Sequence, residues 1–244
     1  MVEAIVSRSN ARFKLWKKQI KQNHDSFLLA GEDLLEETID VFIPKLLFSS
    51  EIKLLNKWIN NYSIKSLFPE PHLLSQNLLE KISGLKTFKG VCAIGSCKPY
   101  SMPVSGRFLF LDTIQDPGNF GMIIRSCLAF GWNGIFYTPN SCYPYHPKVI
   151  RASRGGIFEL PIKKTTIKSF LEKTPTDQIW VTDKKGSLSP PSSLASSSIF
   201  LVIGNEGKGV SPEWPSTFNK VWIPTEKESL NVACAATLLL YSFR

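Results

Sequence analysis

Short apolar runs occupy residues 108–111, 134–137, 179–182, 199–203 and 221–223, and each gives way to a polar residue, a glycine or a proline. They read as buried strands. Residues 120–130 and the stretch from residue 231 onward instead read as helices, with Gly131 placed to stop the first. Apolar strands alternating with helices predict an α/β fold with a largely parallel sheet covered on both faces.

The first hundred residues follow a shorter version of the same alternation. Phe13, Trp16 and Ile20 fall at i, i+3 and i+7, with lysines between them, so an amphipathic basic helix is predicted there. A strand at 27–30 meets Gly31, and a second helix should follow, with Glu32, Asp33, Glu36 and Glu37 early and Leu35, Ile39 and Phe42 on one side. Residues 43–49 and 91–95 read as strands and 54–62 as a helix. The segment SCKPYSMPVSGR has linker chemistry. The expected organisation is therefore a small α/β domain at 1–98, a linker at 99–106 and a larger domain at 107–244.

Composition narrows the class of partner. With 244 residues, 43% hydrophobic, the chain is neither collagen-like nor disordered, and its length suits one large or two small cores. The formal charge of +9 points to a polyanion, nucleic acid first. Two concentrations stand out. Arg8, Arg12, Lys14, Lys17 and Lys18 gather on the first helix, and Lys148, Arg151 and Arg154 follow Tyr143, Tyr145 and His146, where rings could stack unpaired bases while cations bind phosphate. Together they could clamp RNA; a solvated surface is the plainer alternative. The five cysteines lack CxxC spacing, the three histidines lie in unrelated segments, and no metal site is expected. The longest apolar stretch, 232–241, is far short of the roughly 20 residues a membrane span needs, and the start lacks a secretory signal. A soluble, cytoplasmic protein with reduced thiols is expected.

Three loops leave predicted strands where ligands sit in open α/β sheets. In LDTIQDPGNFGMIIRS, Gly118 and Gly121 flank Asn119, and Arg125 lies further into the helix; capping by Asn119 would explain that residue without any chemistry. The loop Gly204-Asn205-Glu206-Gly207-Lys208-Gly209 is spaced neither as a phosphate-binding loop nor as a dinucleotide fingerprint, and its carboxylate argues for a ligand with hydroxyls or a positive centre. In the third, Pro224 ends a strand, and Ser229 or Asn231 can cap the helix that follows.

Taken together, GNFGMIIR, LVIGNEGKGVS and IPTEKESLNVACAATLLLY resemble, in order and spacing, the three motifs of the SpoU (TrmH) family of RNA ribose 2′-O-methyltransferases, over about residues 107–244. The first hundred residues are more loosely similar to the ribosomal-protein-like substrate-binding domain that many members carry. The resemblance implies S-adenosylmethionine as cofactor, a trefoil-knotted parallel sheet, a homodimer, and a ribose 2′-OH as acceptor, in rRNA more readily than in tRNA. It assigns catalytic or pocket-shaping roles to Arg125, Asn119, Glu206, Ser229 and Asn231, with Asn119 orienting Arg125 or the substrate. Cofactor contacts would come from Thr182, Gly204, Asn205, Gly207, Ile223, Pro224 and Leu230. A tRNA target and a non-catalytic RNA-binding module of the same fold remain the alternatives.

Overall fold

A computed structural model describes residues 4–22, 26–97, 100–187, 198–226 and 230–244. The chain divides into two compact units, 1–98 and 99–244.

The first unit runs α1 (Ala11–Gln22), β1 (Phe27–Ala30), α2 (Glu32–Glu37), β2 (Phe42–Ser49), α3 (Ile52–Ile64), β3 (Glu70–Leu73), α4 (Gln76–Ser83) and β4 (Val91–Cys97). Its sheet has the order β1-β4-β2-β3, with β4 antiparallel to both neighbours and β3 parallel to β2. Asn10 caps α1, its side-chain oxygen accepting from the backbone N–H of Arg12 at 2.9 Å. The periodicity of α1 turns Phe13 and Trp16 into a core with Phe48, Leu78, Leu79 and Cys92, and leaves Arg12, Lys14, Lys17 and Lys18 exposed. Arg8 is exposed too and donates to Asn77 at 3.1 Å.

The second helix is shorter than its apolar spacing predicts. Thr38 folds back, donating its hydroxyl to the Leu34 carbonyl at 2.7 Å. The N–H of Phe42 then bonds the Thr38 carbonyl at 2.9 Å, so Phe42 opens β2 and does not extend α2. The apolar pattern does not announce β3 and α4; each is short, and Pro71 and His72 hide the strand pattern.

The second unit runs β5 (Gly106–Leu111), α5 (Pro117–Ala129), β6 (Gly134–Tyr137), α6 (Pro147–Ala152), β7 (Ile162–Lys164), α7 (Ile167–Leu171), β8 (Ile179–Ser187), β9 (Ser198–Ile203), β10 (Asn219–Val221) and α8 (Val232–Ser242). Six strands in the order β10-β8-β9-β5-β6-β7 form one sheet, and each pairing is parallel, as the alternation predicts. One cluster joins Phe110, Phe170, Val202 and Trp214. The last strand sits two residues earlier than its sequence suggests: pairing ends at Val221, and Trp222, Ile223 and Pro224 have left the sheet.

Helices α5 and α8 pack together, tied by a 2.7 Å bond between the Ser126 and Thr237 hydroxyls and by the Trp132 indole donating to the Leu240 carbonyl at 3.1 Å. On another side α5 meets α6 at Gly121. A Cβ there would stand 2.5 Å from the Ala152 methyl and 2.7 Å from the Val149 carbonyl. Gly121→Val should therefore cost about 1–3 kcal/mol through overpacking, seen as a lower urea midpoint. An unchanged midpoint would mean that α6 moves aside freely.

Candidate functional site

The carboxyl ends of β5 and β9 and the loops after β9 and β10 converge, and a buried carboxylate organises them. Asp112, fully buried directly after β5, accepts from the Ser211 N–H at 2.6 Å, the Ser211 hydroxyl at 2.9 Å and the Trp214 indole at 3.0 Å. An ionised carboxylate survives burial only when donors replace its water, and these three do so. They pin the distal end of the loop after β9. Asp112 is not announced by the pattern of the chain; its one signal is an acid placed straight after FLFL.

The loop itself is a tight hairpin. Asn205 and Gly209 exchange backbone bonds of 2.9 and 2.8 Å, and the Asn205 side-chain oxygen accepts from the N–H groups of Gly207 and Lys208 at 3.0 and 3.2 Å. Gly209 adopts φ 71°, and a Cβ on Gly204 would strike the Gly209–Val210 backbone. Both glycines are thus demanded by chain geometry. Glu206 sits exposed in this hairpin.

Three loops meet at Asn119. The cap of α5 is Asp116, whose carboxylate accepts the Asn119 N–H at 2.8 Å, with Pro117 in the first turn. Capping is therefore not the task of Asn119. Its side-chain NH₂ donates to the Glu206 carboxylate, and its oxygen accepts from the Asn231 side chain at 3.1 Å. Asn231 also caps α8, accepting from the Ala233 N–H at 2.9 Å. A row Asn231–Asn119–Glu206 thus runs across all three motifs. Among the described residues no hydrogen bond joins Asn119 to Arg125, so of the two expected tasks, orienting Arg125 or orienting the substrate, the first has no direct bond behind it. Arg125 lies exposed on α5, and no described side chain pairs with it. Ser229 lies outside the described residues.

Beside this row opens a cleft of about 860 Å³, walled by Thr182, Asp183, Glu206, Gly207, Lys208, Val210, Trp222, Ile223, Thr225, Leu230 and Ala235, among others. Of the residues expected to bind a cofactor, Thr182, Gly207, Ile223 and Leu230 are in its wall; Gly204, Asn205 and Pro224 are not. Gly204 is buried against the hairpin, Asn205 spends its amide shaping it, and Pro224 is exposed. Asp183 and Trp222 are additions that periodicity could not supply. Asp183 is paired with Lys220 at 2.7 Å.

Among the basic residues expected to meet RNA, Lys148 and Arg154 are exposed and Arg151 is half-buried. His146 caps α6 and accepts from the Lys148 N–H at 3.2 Å. Its pKa lies below the usual histidine value because of burial first, and then because the cations of Lys148 and Arg151 oppose a further charge. The Tyr143 and Tyr145 rings lie beside one another, centroids 5.8 Å apart. Among the described residues no group of acids, cysteines and histidines could hold a metal ion, and no helix is long and apolar enough to cross a membrane.

A parallel sheet with a ligand-sized cleft outside its strand ends and a polar row beside it is the arrangement in which α/β domains commonly hold their ligands. Residues 106–241 match the SpoU rRNA Methylase family, and the chain belongs to that family. It is 25% identical, over the full length of both chains, to the 23S rRNA (guanosine(2553)-2′-O)-methyltransferase RlmP of Bacillus subtilis. It is 28% identical to the 23S rRNA (uridine(2479)-2′-O)-methyltransferase of Streptomyces viridochromogenes, over 97% of this chain and 90% of the other. The crystal structure of the SpoU methyltransferase AviRb from Streptomyces viridochromogenes, in complex with AdoMet, superposes with a TM-score of 0.79 at 26% identity, covering 96% of each chain.

Proposed function

We propose that this protein transfers a methyl group from S-adenosylmethionine to a ribose 2′-OH in ribosomal RNA. The row Asn231–Asn119–Glu206 beside the cleft carries the reading: a capping role explains only part of Asn231 and none of the Asn119–Glu206 bond. Both curated relatives above are named as 23S rRNA 2′-O-methyltransferases, which favours rRNA over tRNA.

The cleft suits that cofactor. Its wall combines glycine backbone, the apolar side chains of Val210, Trp222, Ile223, Leu230 and Ala235, and two carboxylates. An adenosine with a cationic sulfur centre suits both that apolar surface and the Glu206 carboxylate. When bound, S-adenosylmethionine supplies an electrophilic methyl group on a positively charged sulfur.

Asn119 holds the Glu206 carboxylate at the cleft wall, where its negative charge complements the sulfonium. Asp183 is neutralised by Lys220 and is a weaker complement. Arg125 has five N–H donors and no acceptor, so it is suited to grip the ribose oxygen or its phosphate and to stabilise the negative charge that develops as the hydroxyl loses its proton. The hairpin and the loop after β10 align the two partners, which is the larger part of such a transfer.

The strand order, with β8 and β9 between β10 and β5, is compatible with a trefoil knot threaded by the loops after β9 and β10. Met122 on α5 and Leu238 and Tyr241 on α8 are each 49% exposed, an apolar surface suited to a second copy. The 1–98 unit and the Lys148–Arg151–Arg154 segment would bind RNA, and the protein would work in the cytoplasm. Arg12→Ala and Lys148→Ala each remove one cation from an RNA phosphate, and each should lower the slope of log K against log salt by about 0.7–0.9. Unchanged slopes for both would move the RNA elsewhere. Calorimetry with S-adenosylmethionine tests the function as a whole: micromolar binding is expected, and none at millimolar cofactor would favour a non-catalytic module.

A further inference from the structure

A second cavity, of about 630 Å³, lies on the other side of the Asn205–Gly209 hairpin, outside the ends of β5, β6 and β9. It shares Lys208, Gly209 and Val210 with the cofactor cleft, so one short hairpin separates the two spaces. We propose that this cavity receives the base of the nucleotide being methylated, and that Gln115 and Asn140 read it. The inference rests on the function proposed above and adds the part of the substrate that sets its specificity.

The cavity's frame is rigid. The Thr113 N–H donates to the Thr138 hydroxyl at 2.9 Å, the Ile114 N–H to the Ser141 hydroxyl at 3.1 Å, and the Cys142 N–H to the Ile114 carbonyl at 2.8 Å. Asn205 donates to the Thr113 carbonyl at 3.2 Å, tying the hairpin to the same frame. Thr113 itself has φ 59°, a left-handed conformation that a β-branched residue adopts only when its surroundings impose it.

Within this frame two side chains remain uncommitted. Gln115 and Asn140 both line the cavity and are exposed, and neither amide has a hydrogen-bond partner among the described residues. Each offers a donor pair and an acceptor in one plane, the complement of a base edge. No carboxylate is in the wall, and Lys208 stands at the rim shared with the cleft, so the phosphate chain meets a cation and no anion. A ribose presenting its 2′-OH at the hairpin would then place its base across the hairpin, splayed out of any helix, as single-stranded RNA readers require.

The test uses the full chain, tritiated S-adenosylmethionine and short RNA hairpins carrying the target nucleotide, mapped first on 23S rRNA, in four versions that differ only in that base. Wild-type protein should prefer one base. Gln115→Ala combined with Asn140→Ala should lose at least tenfold on the preferred base and little on the others, with cofactor affinity kept within about twofold. Asn140→Asp, which replaces the donor pair by an acceptor, should change the order of preference. If the wild-type preference survives in both variants, or if all four RNAs slow equally, the base does not lie here. A wild-type protein that is active on RNA while the variants match it would sink this inference alone. One that methylates no RNA would sink the proposed function and this inference with it.

Discussion

Replacing Arg125 by alanine is expected to slow methyl transfer about 10²–10³-fold, the usual cost of removing one donor that stabilises developing negative charge, while S-adenosylmethionine binds as before. The separation of the two readouts follows from location. Arg125 is exposed on α5 and is not part of the cleft wall, so the cofactor should not sense its loss. Folding should also be spared, because no described side chain pairs with it. Arg125→Lys restores a charge but not the planar fork, so recovery should be partial. A single-turnover assay alongside calorimetry decides the matter. An alanine variant that transfers at the wild-type rate would remove Arg125 from the chemistry.

Asp112→Ala should be the most damaging change to stability among the residues around the site. It strands the buried Trp214 indole N–H and the half-buried N–H and hydroxyl of Ser211. Buried donors left without partners cost about 1–3 kcal/mol each, offset in part because a buried charge is removed as well. A net loss of about 3 kcal/mol is expected, read from the denaturant midpoint. The hairpin should loosen with it, so cofactor affinity should fall at temperatures where the rest of the fold persists. Asp112→Asn keeps an acceptor but turns an NH₂ group toward donors, and should lie between wild type and alanine. Stability within about 0.5 kcal/mol of wild type for the alanine variant, the range of an ordinary surface change, would show that Asp112 does not hold the loop.

Much of this arrangement is readable along the chain, because parallel strands buried on both faces announce themselves as uninterrupted apolar runs, and their ends direct attention to three loops. Asn119, Glu206 and Asn231 come from those loops. Their mutual bonding does not, since Asn119 has the residue type of a helix cap, and only the Asp116–Pro117 start of α5 frees its side chain. Asp112 is invisible for a related reason: burial of a carboxylate depends on donors from Ser211 and Trp214, about a hundred residues away in sequence. Gly204 is legible as special, and its packing against Gly209–Val210 supplies a structural demand for glycine that the sequence does not display. The shortened α2 turns on a single Thr38 hydroxyl that outweighs the apolar spacing of Ile39 and Phe42.

Ribose methylation of rRNA can be read out by incubating the purified protein with S-adenosylmethionine and unmodified 23S rRNA and mapping 2′-O-methyl groups at nucleotide resolution. One new 2′-O-methyl group, absent with Arg125→Ala, is the expected result. A methyl group found on a base, on tRNA alone, or nowhere would contradict it.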